Sequence, residues 1–382
     1  MVAEARVTPK ISPERLLRPE LLRLDFDQYQ RYRCTTEIVT HLVREPVTLL
    51  EVGSNEIDHF PAFFGPHCTK ATRCDVLDPV RPDPSYVKID PQRPLPFADA
   101  EYDVVAALDV LEHVPAAERG RFLRECARVA RRLLVLCCPR GEPDVVEAEA
   151  MLNRYCRHAC GGDHPFLAEH VQLGLPTPAE VRDLLDGLGV PWVVVPNSHL
   201  PTWVAMNLVS NDFARDPAGL RVLAELNGLF NARFYEQSRA TPAYRSIYVV
   251  ATDPTLFASL PPGWHTTFFR EGPAMLGLAE ASLRSACEIL AAVQREAVTF
   301  PAALAAERLR NAVLASQIVT DRTTLDTLEA EAFAARAEAD KARADRGAAE
   351  AALDHVTSSW CWRATALPRH AGSWLKRLLR GR

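Results

Sequence analysis

Apolar residues show two different spacings between positions 102 and 139. Val104–Leu108 and Leu133–Cys138 are unbroken apolar runs of strand length. Between them, apolar residues recur at helical steps of one, three and four, namely at Phe122, Leu123, Cys126, Ala127 and Ala130. This order predicts a strand–helix–strand unit. Because both strands are continuously apolar, it also predicts a parallel sheet covered on both faces.

Similar patterns extend to both sides of this unit. Five further strands are predicted: one beginning at Val47, one over Ala71–Asp75, one ending at Asp90, and two over Trp192–Val195 and Tyr244–Ala251. Helices are predicted around Glu14–Leu24, over Asp27–Val43, and from the capping box of Thr177 and Glu180 to about Leu188. The chain therefore predicts an α/β fold with seven strands, whose ligands bind at the carboxyl ends of the parallel strands.

The central unit contains a specific sequence motif. Leu95-Pro-Phe97 precedes a strand that runs into Asp109-Val-Leu-Glu-His-Val114. This resembles the class I S-adenosylmethionine-dependent methyltransferases, in particular a branch found in bacterial surface-polysaccharide clusters. The resemblance extends from about Tyr29 to Thr252. It implies a Rossmann-like seven-stranded methyltransferase sheet and a transferase of the EC 2.1.1 type that uses S-adenosyl-L-methionine.

The first strand and the loop after it look like the glycine loop of these enzymes. Family members usually carry Asp/Glu-x-Gly-x-Gly-x-Gly, and glycine suits that loop because it adopts positive φ freely. Here Glu51 and Gly53 are kept, Asn55 takes the second glycine position, and Ile57 takes the third. Asparagine tolerates a left-handed conformation best after glycine, so a turn is feasible. The resemblance makes Glu51, Gly53 and Asn55 cofactor-binding candidates.

Three acids follow the next strands. Asp75 is the candidate for binding both ribose hydroxyls, as acids do in nucleoside-binding folds, and the alternative is that it caps a turn. In similar proteins the acid at Asp90 meets the adenine amino group, and the acid at Asp109 meets the methionine end. No Gly-x-Gly-x-x-Gly is present, which argues against nicotinamide and flavin dinucleotides.

Asp109, Glu112 and His113 are spaced to share one face if the segment turns helical directly after the strand. His113, with Glu112, could deprotonate an acceptor hydroxyl. Alternatively the three could hold a divalent cation, as in some quinone-pathway O-methyltransferases with a similar acid-x-x-Glu-His string. The structural interpretation is that Glu112 and His113 brace the start of a helix.

Candidate acceptor contacts lie after the fifth strand. The segment with His164, Glu169 and His170 resembles a loop in relatives thought to act on sugars, which makes the three substrate-side candidates; a solvated loop with incidental histidines is the equal alternative. Upstream, Cys156-x-His158-x-Cys160 lacks the second ligand pair of common zinc sites, so zinc is disfavoured. Tyr29 and Tyr32 lie on the predicted helix Asp27–Val43. We favour simple packing of this helix on the sheet. The alternative is that one of the two tyrosines closes over the cofactor, as the N-terminal helix does in similar enzymes.

The last third of the chain has a different composition. Leucine and alanine recur at steps of three and four between Leu325 and Val356, which predicts a narrow coiled coil and self-association into a homo-oligomer, with a single solvated helix as the alternative. From Thr357 onward there are six Lys or Arg residues, interleaved tryptophans and no acid. This tail is a candidate for peripheral contact with an anionic membrane or an acidic partner.

The predicted domain organisation follows from these changes in pattern. It consists of an N-terminal arm (1–26), a methyltransferase domain (27–253) with a helical lid insertion (198–239), a linker (254–280), a helical or coiled-coil segment (281–356) and a basic tail (357–382).

Composition limits the possible partners and the cellular location of the protein. The net charge of −5 indicates no general nucleic-acid surface, so nucleic acid is not expected as a partner. Cysteines in apolar runs and the lack of a long apolar stretch favour a cytoplasmic protein, with the inner membrane face as the site of any peripheral contact. We expect O-methylation of a sugar or glycan-related small molecule. The alternative, prompted by the reduced glycine loop, is a catalytically silent scaffold in a glycan-assembly complex.

Overall fold

A computed structural model of the chain describes residues 13–54, 59–79, 81–214, 217–258, 260–272 and 277–295. The expected cofactor residue Asn55 lies outside these residues. So do most of the expected coiled-coil segment, including its heptad positions, and the whole basic tail.

Seven strands form one mixed sheet. They are β1 (Val47–Val52), β2 (Cys68–Asp75), β3 (Tyr86–Lys88), β4 (Tyr102–Leu108), β5 (Ala130–Pro139), β6 (Trp192–His199) and β7 (Ala243–Ala251). Their order is β3-β2-β1-β4-β5-β7-β6, with β7 antiparallel to both neighbours and the other pairs parallel. The predicted Rossmann-like seven-stranded sheet is confirmed.

Helices connect and flank these strands. They are α1 (Pro13–Leu16), α2 (Pro19–Leu22), α3 (Phe26–Leu42), α4 (Phe60–Phe64), α5 (Ala116–Val129), α6 (Pro143–Cys160), α7 (Pro165–Leu173), α8 (Pro178–Asp186), α9 (Leu200–Phe213), α10 (Pro217–Arg233), α11 (Thr255–Ala258) and α12 (Leu278–Arg295). The single helix predicted around Glu14–Leu24 is wrong. Pro19 divides it into α1 and α2, because the residue before a proline is pushed out of the helical region, as Arg18 is here with ψ of 138°.

The chain divides into two compact units. The first comprises the described residues of 1–142, 173–199 and 227–273, and contains the whole sheet. The second comprises the described residues of 143–172, 200–226 and 274–295, and is helical.

In the first unit, both faces of the sheet are covered. Leu49, Val104 and Val135 belong to a core cluster with residues of α3 and α4. Their chain neighbours point to the other face and pack with residues of α5 and α8. Since side chains alternate along a strand, burial on both faces explains why the strands are continuously apolar.

Two segments predicted to lie outside the core contribute to it. Leu16 and Leu21, in the expected N-terminal arm, are buried against α3 and its neighbours. The expected linker 254–280 contains α11 and a short 3-10 helix over Trp264–Phe268, and Trp264 stacks on His41 with ring centroids 5.7 Å apart. The start of this segment is therefore part of the first unit, because its aromatic residues need an apolar surface to cover them.

The second unit is built around α9, which packs against α6 and α12. Ser285 of α12 and Thr202 of α9 lie within hydrogen-bond distance, with 3.3 Å between their hydroxyl oxygens. Over the residues described, no helix combines the length and the apolar character needed to span a bilayer.

Candidate functional site

The candidate site of the first unit lies at the carboxyl ends of β1, β2 and β4. These parallel strands are neighbours in the sheet, so the residues that follow them meet at one edge. Gly53, Asp75 and Asp109 all occupy this edge. Three residues that the sequence pattern places after different strands are thereby brought to the same side of the sheet.

Gly53 makes the turn at the end of β1. Its φ is +73°, and its N–H donates to the carbonyl of Cys74 at 2.8 Å. Val110, next to Asp109, packs directly on it, so that a Cβ added at Gly53 would overlap the Val110 side chain. Glycine is therefore required here both for its backbone conformation and for the close approach of a neighbouring chain segment.

Glu51 lies within β1 and is buried. It is hydrogen-bonded to the phenol of Tyr32 on α3. Burial raises the pKa of Tyr32 far above its usual value, and the negative charge of Glu51 raises it further. Both Tyr29 and Tyr32 are packed among aromatic rings of α4, Phe63 being a neighbour of each. The two tyrosines thus belong to the core, as the packing interpretation holds.

Asp75 and Asp90 differ in their surroundings. Asp75 is 9% exposed, and its Oδ1 accepts a hydrogen bond from the Leu77 N–H at 3.2 Å. Asp90 lies two residues beyond the end of β3, with a half-exposed side chain that accepts from the Gln92 N–H and pairs with Arg93 at 3.4 Å. Each acid therefore stabilises a local turn. Asp75 is the one that lies buried beside the glycine turn, since the carbonyl of Cys74 accepts from Gly53.

Asp109 occupies an unusual position. Its φ is +57°, a left-handed conformation that aspartate tolerates better than most residues, and its N–H donates to the Cys137 carbonyl at 2.8 Å. Its Oδ2 lies 3.2 Å from Arg31 on α3 and 3.0 Å from Arg245 on β7. Asp27 pairs with the same two arginines.

The two arginines are strongly held in the charged form. Burial by itself lowers the pKa of the Arg245 guanidinium, but Asp109 and Asp27 more than offset this and raise the pKa well above its usual value. The pKa of Arg31 is raised in the same way, against the effect of burial. We call Asp27, Arg31, Asp109 and Arg245 the ion network. Its two positive and two negative charges balance.

Glu112 and His113 are placed by a single turn of 3-10 helix, Leu111–His113. Glu112 is buried and His113 is partly exposed. Asp109 precedes this turn in a left-handed conformation, so the one-faced helical arrangement of all three residues does not form. Pro115 keeps Val114 extended at ψ of 126°, so the next helix, α5, begins only at Ala116.

The acid-x-x-Glu-His string therefore does not assemble as a divalent-cation site through Asp109. Two guanidinium groups already contact Oδ2 of Asp109, so this oxygen is not open to a metal ion. Glu112 carries a carboxylate and His113 an imidazole, and either group can bind a proton or a cation.

The acceptor-side candidates lie in the second unit. His164 precedes α7, and Glu169 and His170 lie on it. Nδ1 of His170 lies 3.0 and 3.1 Å from the two carboxylate oxygens of Glu149 on α6, and both side chains are 6% exposed. Burial lowers the pKa of His164 to about 4, and the nearby His170 contributes to the fall. Glu169 and His170 thus lie on a helix, whereas His164 lies in the segment directly before it.

The cysteine–histidine string of α6 does not resemble a zinc site. Cys156 and Cys160 are one helical turn apart, whereas His158 stands two residues from each. Residues two apart on a helix do not face each other, so the three side chains diverge.

Sequence reasoning missed three residues that the structure places beside the candidates. Arg245 carried a signal, since it is the one charged residue in the apolar run of β7. Arg31 stands four residues after Asp27, a spacing typical of helical ion pairs. Glu149 carried no signal, because its role depends on the packing of α6 against α7.

Comparison with known proteins agrees with the topology. A family model described as a methyltransferase domain matches residues 66–136, which run from the start of β2 into β5. Among curated proteins, none matches the chain.

Several solved structures are similar at low sequence identity. The YcgJ protein from Bacillus subtilis is 14% identical, with 58% of this chain and 97% of that chain covered and a TM-score of 0.35. A SAM-dependent methyltransferase from Aquifex aeolicus is 16% identical, with 48% and 89% covered and a TM-score of 0.29. Magnesium protoporphyrin IX methyltransferase from Synechocystis, solved with bound SAH, is 15% identical, with 46% and 77% covered and a TM-score of 0.28.

The fold assignment does not depend on these structural similarities. The matched segment and the strand order, with an antiparallel β7 inserted between β5 and β6, together identify a methyltransferase-type Rossmann-like fold.

Proposed function

We propose that the chain is an S-adenosyl-L-methionine-dependent methyltransferase. The observation that carries this proposal is the juxtaposition of Gly53, Asp75 and Asp109 at one edge of a sheet with methyltransferase topology. The methyltransferase-domain match over 66–136 supports it.

The residues at this edge fit the amino-acid and nucleoside parts of that cofactor. Gly53 has the positive φ and the tight packing of a glycine-loop turn, and Asp75 offers a buried carboxylate for ribose hydroxyls. Within the part of the chain that the structure describes, Oδ1 of Asp109 is buried and has no hydrogen-bond partner. An unpaired buried acceptor is costly, so a donor from a ligand would stabilise it.

Bound S-adenosyl-L-methionine supplies an electrophilic methyl group on a sulfonium. The chain must orient the acceptor, exclude water and receive one proton. In our proposal the imidazole of His113 would take the proton of an acceptor hydroxyl, and the bound cofactor would supply the methyl group and keep the electrons of the broken carbon–sulfur bond as a neutral thioether. Glu112, its chain neighbour, then favours the protonated imidazole by its negative charge.

The acceptor in this proposal is a sugar or glycan-related hydroxyl compound. The support is the resemblance of the segment around His164, Glu169 and His170 to a loop of enzymes thought to act on sugars. Glu149 contacts Nδ1 of the His170 ring at 3.0 Å and so fixes the orientation of the ring.

Titration calorimetry with S-adenosyl-L-methionine and with S-adenosylhomocysteine tests the cofactor assignment. We expect saturable binding in the micromolar range, with Asp75→Ala weakening both ligands. Mass spectrometry of the purified protein for a bound nucleoside gives an independent readout. A sugar-nucleotide panel, read as S-adenosylhomocysteine release, then tests the acceptor, with His113→Gln expected to lose turnover while it keeps cofactor affinity.

The second candidate function is a catalytically silent scaffold in a glycan-assembly complex. One observation favours it: only Gly53 of the three loop glycines is kept. No heat at millimolar S-adenosyl-L-methionine would favour this candidate over the enzyme.

The remaining proposals concern assembly and place. We propose that residues 281–356, whose sequence predicts a coiled coil, join copies into a homo-oligomer, and that the basic tail contacts an anionic membrane or an acidic partner from the cytoplasmic side. Light scattering of the full chain and of a chain ending after residue 295 tests the first point. Flotation of both with anionic and neutral vesicles tests the second.

A further inference from the structure

The ion network joins three separate parts of the first unit. Asp27 and Arg31 lie on α3, Asp109 follows β4, and Arg245 lies near the start of β7. The four N···O distances are 3.3 Å (Arg31–Asp27), 3.2 Å (Arg31–Asp109), 2.7 Å (Arg245–Asp27) and 3.0 Å (Arg245–Asp109). Both arginine contacts to Asp109 go through the same oxygen, Oδ2.

Anchoring of α3 to the sheet explains the Asp27–Arg245 pair, but it does not explain the contacts to Asp109. The Asp27–Arg245 pair already ties α3 to β7, and the Asp27 carbonyl adds a contact with Arg245 at 3.5 Å. Asp109 is not needed for that tie. Its addition brings a second carboxylate close to the first, an arrangement that needs both guanidinium groups for compensation.

The network fixes the orientation of the Asp109 carboxylate. Two cations hold Oδ2, and the left-handed backbone is pinned by the N–H bond to Cys137. Oδ1 is therefore held in one direction, and among the described residues it accepts from no donor. A fixed, buried and charged acceptor suits a cationic N–H donor better than a neutral one.

The position of Asp109 relative to the glycine turn indicates which donor this is. Val110 packs on Gly53, so Asp109 is one residue away from contact with the turn at the end of β1. A sulfonium has no hydrogen to donate. In the cofactor, the cationic N–H donor is the α-ammonium of the amino-acid part.

We propose that Arg31 and Arg245 are positioning residues, which hold Oδ1 of Asp109 as the acceptor for the α-ammonium group of S-adenosyl-L-methionine. This inference rests on the proposed function. It assigns the recognition of the amino-acid part of the cofactor to a network assembled from α3 and β7, outside the glycine loop.

Two ligands that differ only in the amino-acid part test the inference. S-adenosylhomocysteine carries the ammonium, whereas 5′-methylthioadenosine keeps the nucleoside and the thioether sulfur and lacks the amino acid. By calorimetry, we expect wild-type protein to bind S-adenosylhomocysteine at least about tenfold more tightly. Arg245→Met, Arg31→Gln and Asp109→Asn should each lose about tenfold in affinity for it, the size expected for weakening a hydrogen bond between charged groups. Affinity for 5′-methylthioadenosine should stay within about twofold.

Two further variants separate positioning from folding. Arg245→Lys keeps one charge and should recover part of the selectivity, and it guards against failure of Arg245→Met to fold. Arg131→Gln removes an Arg–Asp pair of 2.8 Å at the opposite end of β4, where Asp103 lies, and should change neither affinity.

The outcomes are distinct. Equal weakening of both ligands in the network variants, or unchanged selectivity, would refute the positioning role and leave the proposed function standing. If wild-type protein binds neither ligand, the proposed function and this inference fail together.

Discussion

Val110 lies so close to Gly53 that the two residues leave no room for a single additional carbon atom. The contact joins the end of β1 to the residue after Asp109, and it exists only because Gly53 has no side chain. It makes the glycine turn sensitive to substitution in two separable ways, through backbone conformation and through overlap.

Gly53→Ala should destabilise the protein by about 2–5 kcal/mol. About 1–2 kcal/mol comes from placing a Cβ at φ of +73°, and about 1–3 kcal/mol from overlap with Val110. Urea unfolding measures the sum. Gly189→Ala is the matched control, since Gly189 has φ of +68° and no atom near an added Cβ, so only the conformational part should appear.

Adding Val110→Ala to Gly53→Ala should recover the overlap part of the loss. The double variant would then be more stable than the sum of the two single effects predicts. Strict additivity would contradict the packing argument.

Asp25 should make the protein less stable as pH rises from about 4 to 6. Burial raises the pKa of its carboxyl to about 6 from 3.8, and the charge of Asp27 adds to the rise. The folded state therefore keeps a proton that the unfolded state releases, so stability present below pH 4 is lost as pH passes through 6. The shift corresponds to at most about 3 kcal/mol.

Asp25→Asn and Asp25→Ser should both remove this decline. Each keeps a side-chain oxygen to accept from the Asp27 N–H at the start of α3, so the helix cap is retained. Unfolding free energies at pH 4, 5, 6 and 7 provide the comparison. A variant curve parallel to that of wild type would show that another group is responsible.

His164 should make the stability of the protein depend on pH in the opposite direction. Because its pKa is lowered to about 4, the unfolded chain binds a proton between about pH 6.5 and 4 that the folded chain does not. Stability is present above pH 6.5 and lost as pH falls, by up to about 3 kcal/mol. NMR titration of the imidazole measures the pKa directly, and His164→Gln should flatten the stability curve in this range.

Arg119→Met should cost about 3–5 kcal/mol of folding free energy. Arg119 is buried, pairs with both oxygens of Glu180 at 2.9 and 3.1 Å, and donates to the carbonyls of Val114 and Gly174. Its removal leaves carbonyls and a carboxylate without their donor. Thermal or urea unfolding gives the value.

Arg121→Met is the control for this prediction. Arg121 lies two residues further along α5 and pairs with Glu118 in a partly exposed setting, where such pairs contribute less than about 1 kcal/mol. Similar losses in the two variants would rule out burial as the cause.

The alternation of strands and helices, the seven strands and the edge that carries Gly53, Asp75 and Asp109 were predictable from sequence. Local periodicity reports burial, and short connections between parallel strands leave few topologies. The capping box at Thr177 was also predictable, because a helix start is a local hydrogen-bonding problem, and the Thr177 side chain accepts from the Glu180 N–H at 3.1 Å.

The partners of the charged residues could not be predicted in this way. Nothing in the sequence near Asp109 indicates a partner for its carboxylate. Only the tertiary structure places Arg31 of α3 and Arg245 of β7 against it. Likewise, the pairing of His170 with Glu149 depends on how two helices pack. Sequence determines which segments are buried, because burial leaves a local pattern. Tertiary structure decides which charges meet, because an ion pair depends on a distance between segments that no local pattern records.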